Sequence, residues 1–325
     1  MRNLLIVLAL SLSLNACANP ASASRAEKHP GETAFIREAV KEFALDPKRV
    51  REILDAATYQ QSIIDAMTRP AEAKPWSLYR PIFMTEARIA GGRAFVQENQ
   101  ALLDKIEADL GVPEEMVAAI VGVETNYGKN MGSHRVIDAL ATLAFYYPKR
   151  APFFRSELKH LLKLEQDEKL PIAELRGSYA GAMGLGQFMP SSYRAYAVDY
   201  DGDGRRDLWG SRADALASVA NYFKAHGWKT GATVVLRADK AAGAADRKTG
   251  DLKPSDSIAQ WRERGFVSQV SVANPATPAV LVGLDGAGGR EYWLGFNNFY
   301  VITRYNRSPL YAMAVHQLAE EIGKP

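Results

Sequence analysis

Glu124 closes an apolar helical stripe in the run Ile120-Val121-Gly122-Val123-Glu124-Thr125-Asn126-Tyr127-Gly128. Met116, Val117, Ile120 and Val121 recur at helical spacing, Pro113 suits a first turn, and Glu114 and Glu115 suit the positive end of a helix dipole. Glu124 falls on the face of Val117 and Ile120. Burial there disfavours the charged form, so the carboxyl keeps its proton closer to neutral pH and can serve as a general acid. The competing reading is a helix-end glutamate turned to solvent or satisfied by an ion pair.

Two loops carry further chemistry. Gly177 to Gly186 holds four glycines in ten residues and runs on to Gln187-Phe188-Met189-Pro190. So many glycines are costly to order, which points to tight turns or a close approach to something bulky. Ser178 and Gln187 within it suit hydrogen bonding to a neutral polar ligand, and Pro190-Ser191-Ser192 reads as a helix start. The second loop is Asp199-Tyr200-Asp201-Gly202-Asp203-Gly204-Arg205. Carboxylates at alternate positions, glycine at the sixth and Arg205 at the seventh match the first half of an EF-hand loop, in which oxygens converge on calcium. The second half departs, because position twelve is Gly210, which cannot be a bidentate ligand.

The elements that must position these residues follow from the pattern along the chain. Met1-Arg2-Asn3 is basic, Leu4 to Leu14 is an apolar run of signal-peptide length, and it ends at Cys17, the one cysteine in 325 residues. Leu14-Asn15-Ala16-Cys17 resembles a bacterial lipoprotein cleavage box, which implies lipidation at Cys17 and a tether to the periplasmic face of the outer membrane. A linker of Pro, Ser and Ala follows. From about Thr33 to Leu110 apolar residues recur at helical spacing, broken at Asp46-Pro47, Arg69-Pro70 and Lys74-Pro75. Helical segments continue to about Trp228, interrupted by the two loops. From Thr230 to Tyr305 the pattern turns to β, with strands expected at Thr233–Leu236, Val267–Val272, Ala279–Val282 and Phe299–Ile302. Leu310 to Ile322 reads as a last helix. The fold class is α+β, mostly helical.

Composition narrows the function. With 47% hydrophobic residues the chain can bury a sizeable core, and a net charge of +3 is too balanced to make nucleic acid the main partner. The histidines His29, His134, His160, His226 and His316 show no zinc-type pairing, and the lone cysteine forms no internal disulfide. Ser178 lies in Gly-Ser-Tyr-Ala-Gly, offset by one from a nucleophile elbow. No phosphate or dinucleotide loop stands between a strand and a helix.

Val121 to Thr125, Gly184 to Pro190 and the tail Asn298-Phe299-Tyr300-Val301-Ile302-Thr303-Arg304-Tyr305-Asn306 together resemble the membrane-bound lytic murein transglycosylase B family, from about Trp76 to Leu318. The resemblance implies a lysozyme-like core flanked by a helical and a small β-rich subdomain. On this chain the implied boundaries are signal peptide 1–17, linker 18–33, helical subdomain 34–110, core 111–230 with a calcium-type loop 199–214, β-rich subdomain 231–290, and a return to the core over 291–325. It also implies an enzyme that cleaves peptidoglycan glycan strands. Glu124 matches the catalytic acid/base, and Ser178 and Gln187 match sugar-contacting residues. Tyr79, Tyr222, Tyr305 and Tyr311 match active-site tyrosines, with Asn306 beside them, and Lys149-Arg150 matches two basic residues lining the groove. Asp214 matches the aspartate that closes the metal loop, with Asp207 a nearer alternative.

Most glycoside hydrolases set two carboxylates across the scissile bond. Nothing near Glu124 in the sequence supplies a partner, since Glu114 and Glu115 lie two to three turns back and Asp138 lies beyond a further loop. In lytic transglycosylases a single glutamate protonates the bridging oxygen between N-acetylmuramic acid and N-acetylglucosamine, then takes the proton of the muramic C6 hydroxyl as that oxygen attacks C1. The product is a 1,6-anhydro end, and no cofactor takes part. The alternatives are a goose-type lysozyme, in which water attacks, and a catalytically idle wall-binding lipoprotein. Cell-wall synthesis or division proteins are further candidate partners.

Overall fold

The computed structural model describes residues 27–68, 74–247 and 249–324; the signal segment, Cys17 and most of the linker lie outside them. The chain begins with six helices: α1 (Glu32–Phe43), α2 (Pro47–Ala56), α3 (Gln61–Met67), α4 (Trp76–Phe83), α5 (Glu86–Glu98) and α6 (Gln100–Leu110). Their boundaries follow local chemistry. Asp46 caps α2 by accepting from Lys48 N at 2.9 Å, with Pro47 in the first turn, and Thr85 caps α5 by accepting from Arg88 N. These helices build no separate core. Phe35, Leu54, Ile63 and Leu103 belong to the same buried cluster as Val117, Leu216 and Val315.

At the centre stand α7 (Glu114–Thr125) and α8 (Val136–Tyr146), both apolar nearly all round. Val117, Ala118, Ala119, Ile120 and Val121 have no exposed surface. Pro113 stands at the cap of α7 rather than inside its first turn. Then come α9 (Ala151–Glu168), α10 (Pro190–Tyr196) and α11 (Arg212–Ala225). The two-residue strands β1 (His134–Arg135) and β2 (Arg176–Gly177) pair antiparallel and tie the start of α8 to the glycine-rich loop.

After α11 the chain builds an antiparallel sheet in the order β4-β6-β7-β3-β5, from β3 (Val235–Lys240), β4 (Asp256–Ser257), β5 (Phe266–Ser268), β6 (Pro278–Gly286) and β7 (Gly289–Gly295), with the short helix α12 (Ile258–Glu263) packed on one face. Strand alternation buries both faces. Ala279 and Leu281 face a small core with Trp261, Phe266 and Tyr292, while Val280, Val282 and Leu284 join the large helical cluster. The chain then returns to the helical body as α13 (Asn297–Tyr305) and α14 (Pro309–Ile322), and α14 packs along α7, α4 and α5.

The β readings are corrected in three places. Phe299–Ile302 is not a strand but the middle of α13; Phe299, Val301 and Ile302 are buried and only Tyr300 is half-exposed, and so short an apolar run has no legible period. Asn298, also buried, fixes the start of that helix by accepting from Lys229 N at 2.9 Å and donating to Lys229 O and Ala232 O at 2.8 and 3.0 Å. β3 starts two residues later than expected and runs on to Lys240. β5 stops at Ser268, whose hydroxyl donates to Val270 O at 2.8 Å and so folds the chain into a turn.

Helices α5 and α7 approach closely around the ring of Tyr127. A Cβ on Gly122 would lie 2.6 to 2.8 Å from that ring and its hydroxyl. For Gly122→Ala, overpacking costs about 1–3 kcal/mol, against about 0.5–1 kcal/mol gained by removing a helix glycine. Net destabilisation by about 1–2 kcal/mol is expected, checked by the midpoint of denaturant unfolding, with activity reduced because Glu124 lies two residues on.

Candidate active site

The last turn of α7 places Glu124. Thr125 is buried, and its hydroxyl lies 3.1 Å from both Val121 O and Leu185 O while accepting from Gly128 N at 3.1 Å, so it joins the helix end to the glycine-rich loop. Asn126 and Tyr127 follow with φ of 50° and 60°. Two consecutive non-glycine residues in the left-handed region cost on the order of 1–2 kcal/mol each. The turn is held by Asn126 N donating to Gly122 O at 3.1 Å and Tyr127 N donating to Val121 O at 3.2 Å, and by the Tyr127 hydroxyl donating to Arg88 O at 2.9 Å.

Glu124 is surrounded by protein mass yet keeps some contact with solvent. Burial pushes its pKa up from 4.5 to about 7, partly opposed by the Tyr311 hydroxyl, which donates to Glu124 Oε1 at 2.6 Å. No other carboxylate among the described residues contributes to that shift. Tyr311 sits in the first turn of α14, where Ser308 is the cap. Its own pKa is raised well above the usual phenol value by burial first and by the charge of Glu124 next, so it stays a donor.

Tyr305 and the buried Tyr79 stand close enough to Tyr311 to influence its ionisation, so these three phenols and Glu124 form one group. Tyr305 donates to Gly186 O at 2.6 Å, and a Cβ on Gly186 would lie 2.9 Å from that hydroxyl. The missing side chain is what lets the loop reach the tyrosine. Tyr222 packs at 4.8 Å on Tyr305 and donates to Arg304 O. Asn306 caps the end of α13 and is half-buried.

In the glycine-rich loop, Met183 and Phe188 exchange backbone hydrogen bonds at 2.9 Å, with Gly184 and Gln187 both at positive φ, 69° and 51°. The Gln187 amide donates to Gly184 O at 2.9 Å and Met131 O at 3.2 Å, and no described residue donates to its Oε1. Ser178 Oγ accepts from Ala180 N and Ala182 N at 3.2 and 3.0 Å, which leaves the hydroxyl proton available to a ligand. Lys149 and Arg150 lie apart from this group, exposed in a single 3₁₀ turn before α9, with the Arg150 guanidinium 4.5 Å from the Phe153 ring centroid.

The sequence reading missed Phe188, Tyr196 and His226. Tyr196 and His226 both pack on Tyr222, at 4.8 and 4.1 Å, and Phe188 packs on Tyr222 and Tyr305 at 5.8 Å. Only the four-residue spacing of Tyr222 and His226 carried a signal.

The carboxylates of Asp199, Asp201 and Asp203 are brought together, one oxygen of each lying within 4.8 Å of the others. Asp214 is not. It is fully buried, its Oδ1 accepts from Tyr200 N at 2.7 Å and its Oδ2 from Asp207 N at 2.8 Å, so it braces the loop from beneath instead of joining the acidic cluster. Asp207 is also turned inward on its own backbone, accepting from Trp209 N and Gly210 N at 2.9 Å.

The chain matches the family described as the transglycosylase SLT domain over residues 28–320. It belongs to that family. The transglycosylase is 41% identical over 304 residues to the membrane-bound lytic murein transglycosylase B of Escherichia coli, covering 90% of this chain and 83% of that one. Its fold is similar to that of the soluble lytic transglycosylase SltB1 of Pseudomonas aeruginosa, with TM-score 0.82 and 45% identity over 90% of this chain and 98% of the other. It is equally similar, with TM-score 0.82 and 41% identity over 91% and 93% of the two chains, to an Escherichia coli lytic transglycosylase whose structure was solved in complex with calcium.

The raised pKa of Glu124 makes a stability prediction. The folded protein holds this proton from pH 4.5 up to about 7 while the unfolded chain has released it. The linked stability is therefore fully present below pH 4.5 and is lost as pH rises to about 7. A shift of this size corresponds to about 3 kcal/mol. Glu124→Gln should match the wild type at pH 4 and exceed it by up to about 3 kcal/mol at pH 8, read from denaturant unfolding at the two pH values.

Proposed function

We infer that this transglycosylase cleaves the β-1,4 bond between N-acetylmuramic acid and N-acetylglucosamine in peptidoglycan with Glu124 as its only acid/base. Its family membership and its identity to lytic murein transglycosylases support the activity and the murein substrate. One observation carries the mechanism: a deep carboxyl with a pKa near 7, paired with a phenol and with no second carboxylate acting on it among the described residues. Protonated Glu124 gives its proton to the bridging oxygen as the C1–O4 bond breaks. The ionised carboxylate then takes the proton of the muramic C6 hydroxyl as the C1–O6 bond forms. No water is consumed, and the intramolecular attack replaces a protein nucleophile.

The remaining residues of the group bind and steady the sugar. Gln187 Oε1 and the Ser178 hydroxyl suit the N-acetyl group and a ring hydroxyl. Tyr79, Tyr222, Tyr305, Tyr311 and Asn306 wall the cleft, and Lys149 and Arg150 meet a more distant part of the polymer. Segments 111–230 and 291–325 act together as the catalytic unit.

The loop oxygens fit calcium in chemistry and spacing, with Asp199, Asp201 and Asp203 as carboxylate ligands and the Arg205 backbone carbonyl as a further donor. Calcium there would be structural. Cys17 as lipid anchor would hold the enzyme at the periplasmic face of a Gram-negative outer membrane, in keeping with the membrane-bound relative. No described helix is long and apolar enough to cross a membrane.

Digestion of purified sacculi in ¹⁸O-labelled water tests the reaction. Released fragments should carry 1,6-anhydromuramic ends free of label, and Glu124→Gln should lower turnover by ~10²-fold or more while murein binding persists. Label at the muramic C1 would establish the lysozyme reaction instead, and an inactive wild type would establish a wall-binding protein. For the loop, chelation should lower the melting temperature, by the equivalent of about 2.7 kcal/mol where the ion stands at 100 times its dissociation constant. Asp201→Ala should abolish that response.

A further inference from the structure

A cavity of about 740 Å³ opens where the sheet meets the end of α11 and the start of α13. That is the size of sites that enclose small ligands. Leu236, Phe296 and Tyr300 give it apolar walls, and His226, Lys229 and Lys253 stand among them. None of the residues lining it is acidic. Lys229 and Lys253 are exposed and form no ion pair with another described residue. A third exposed cation, Arg304, lies 5.9 Å from the Tyr300 ring centroid.

Ring contacts join the cavity to the catalytic group. His226 stacks at 4.1 Å on Tyr222, and Tyr222 packs at 4.8 Å on Tyr305, whose ionisation responds to Glu124. Helix α13 carries Tyr300 at the cavity and Tyr305 at the catalytic group, about 7.5 Å apart along its axis.

We propose that this cavity receives the stem peptide carried by the muramic acid of the substrate, its carboxylates held by Lys229 and Lys253. The proposal rests on the peptidoglycan reading above. A peptide of four or five residues extends up to about 13–18 Å, longer than the stack of Tyr305, Tyr222 and His226, whose successive ring centroids stand 4.8 and 4.1 Å apart. Apolar walls suit alanine methyl groups, and unpaired cations suit carboxylates. A neutral sugar would use the aromatic wall but would leave the two lysines without partners.

The test compares wild type and Lys229→Ala/Lys253→Ala on purified glycan strands in two forms, with stem peptides intact and after an amidase has removed them. On intact strands the double variant should lose about tenfold in kcat/KM, mostly through KM, the scale of a weakened charge-assisted contact. On stripped strands it should equal the wild type. Lys229→Arg/Lys253→Arg should retain the preference for intact strands, and Lys229→Glu/Lys253→Glu should weaken it beyond the alanine variant. Equal loss on both substrates would mean that the cavity serves the glycan or the fold, and no loss on either would mean that the peptide lies elsewhere. Either result overturns the proposal. Failure of the transglycosylase reading would be distinguishable, because wild type would then form no anhydro ends on either substrate.

Discussion

A carboxyl group at the end of an apolar helix is the constraint around which the rest of this molecule is arranged. Holding Glu124 where its pKa rises to about 7 costs about 3 kcal/mol once it ionises. The helix that carries it offsets that cost. Val117, Ile120 and Val121 are fully buried, and each such side chain contributes roughly 1.5–3 kcal/mol. The left-handed pair Asn126 and Tyr127 adds strain at the same point, opposed by the buried Tyr127 ring and by Thr125 gripping the glycine-rich loop. Packing energy collected along α7 is thus spent within its last turn.

The same constraint explains why the surrounding polar groups are phenols. A second charged partner would fix Glu124 in one protonation state, by lowering its pKa if cationic and raising it if anionic. Tyr311 hydrogen-bonds the carboxylate without bringing charge, and burial keeps Tyr311 and Tyr305 protonated. The loop from Gly177 to Gly186 gives its backbone to the same purpose, with Gly186 bare so that Tyr305 can anchor on its carbonyl.

What the sequence made legible was what has a period or a local signature. The apolar spacing of α7 put Glu124 on the buried face, the glycine density marked the loop, and alternating aspartates marked the acidic cluster. The failures have physical reasons. Phe299 to Ile302 joins two aromatic to two β-branched residues, types that favour strands, so its helical state depends on Asn298 gripping the chain at Lys229 and Ala232, contacts that no local pattern announces. Asp214 stands apart from the acidic cluster because it is buried beneath the loop, whereas Asp199, Asp201 and Asp203 are exposed. The aromatic wall of Phe188, Tyr196, Tyr222, His226 and Tyr305 is assembled from three elements and the loop before α10, and only Tyr222 and its neighbour His226, the C-cap of α11, come from one element.

Glu124 and its phenol partner Tyr311 are 187 residues apart, and the five-stranded sheet lies between them in the chain. A ribosome delivers a polypeptide from its N-terminus, so the acid emerges long before the group that completes its site. The intervening sheet must pass before α13 and α14 can dock along α7 and bring Tyr305 and Tyr311 into place. A partly delivered chain therefore holds a glutamate at a helix end that still lies open to water, with an ordinary acidity and no cleft. The order of translation withholds cutting power from a wall-degrading enzyme until its last helices have folded.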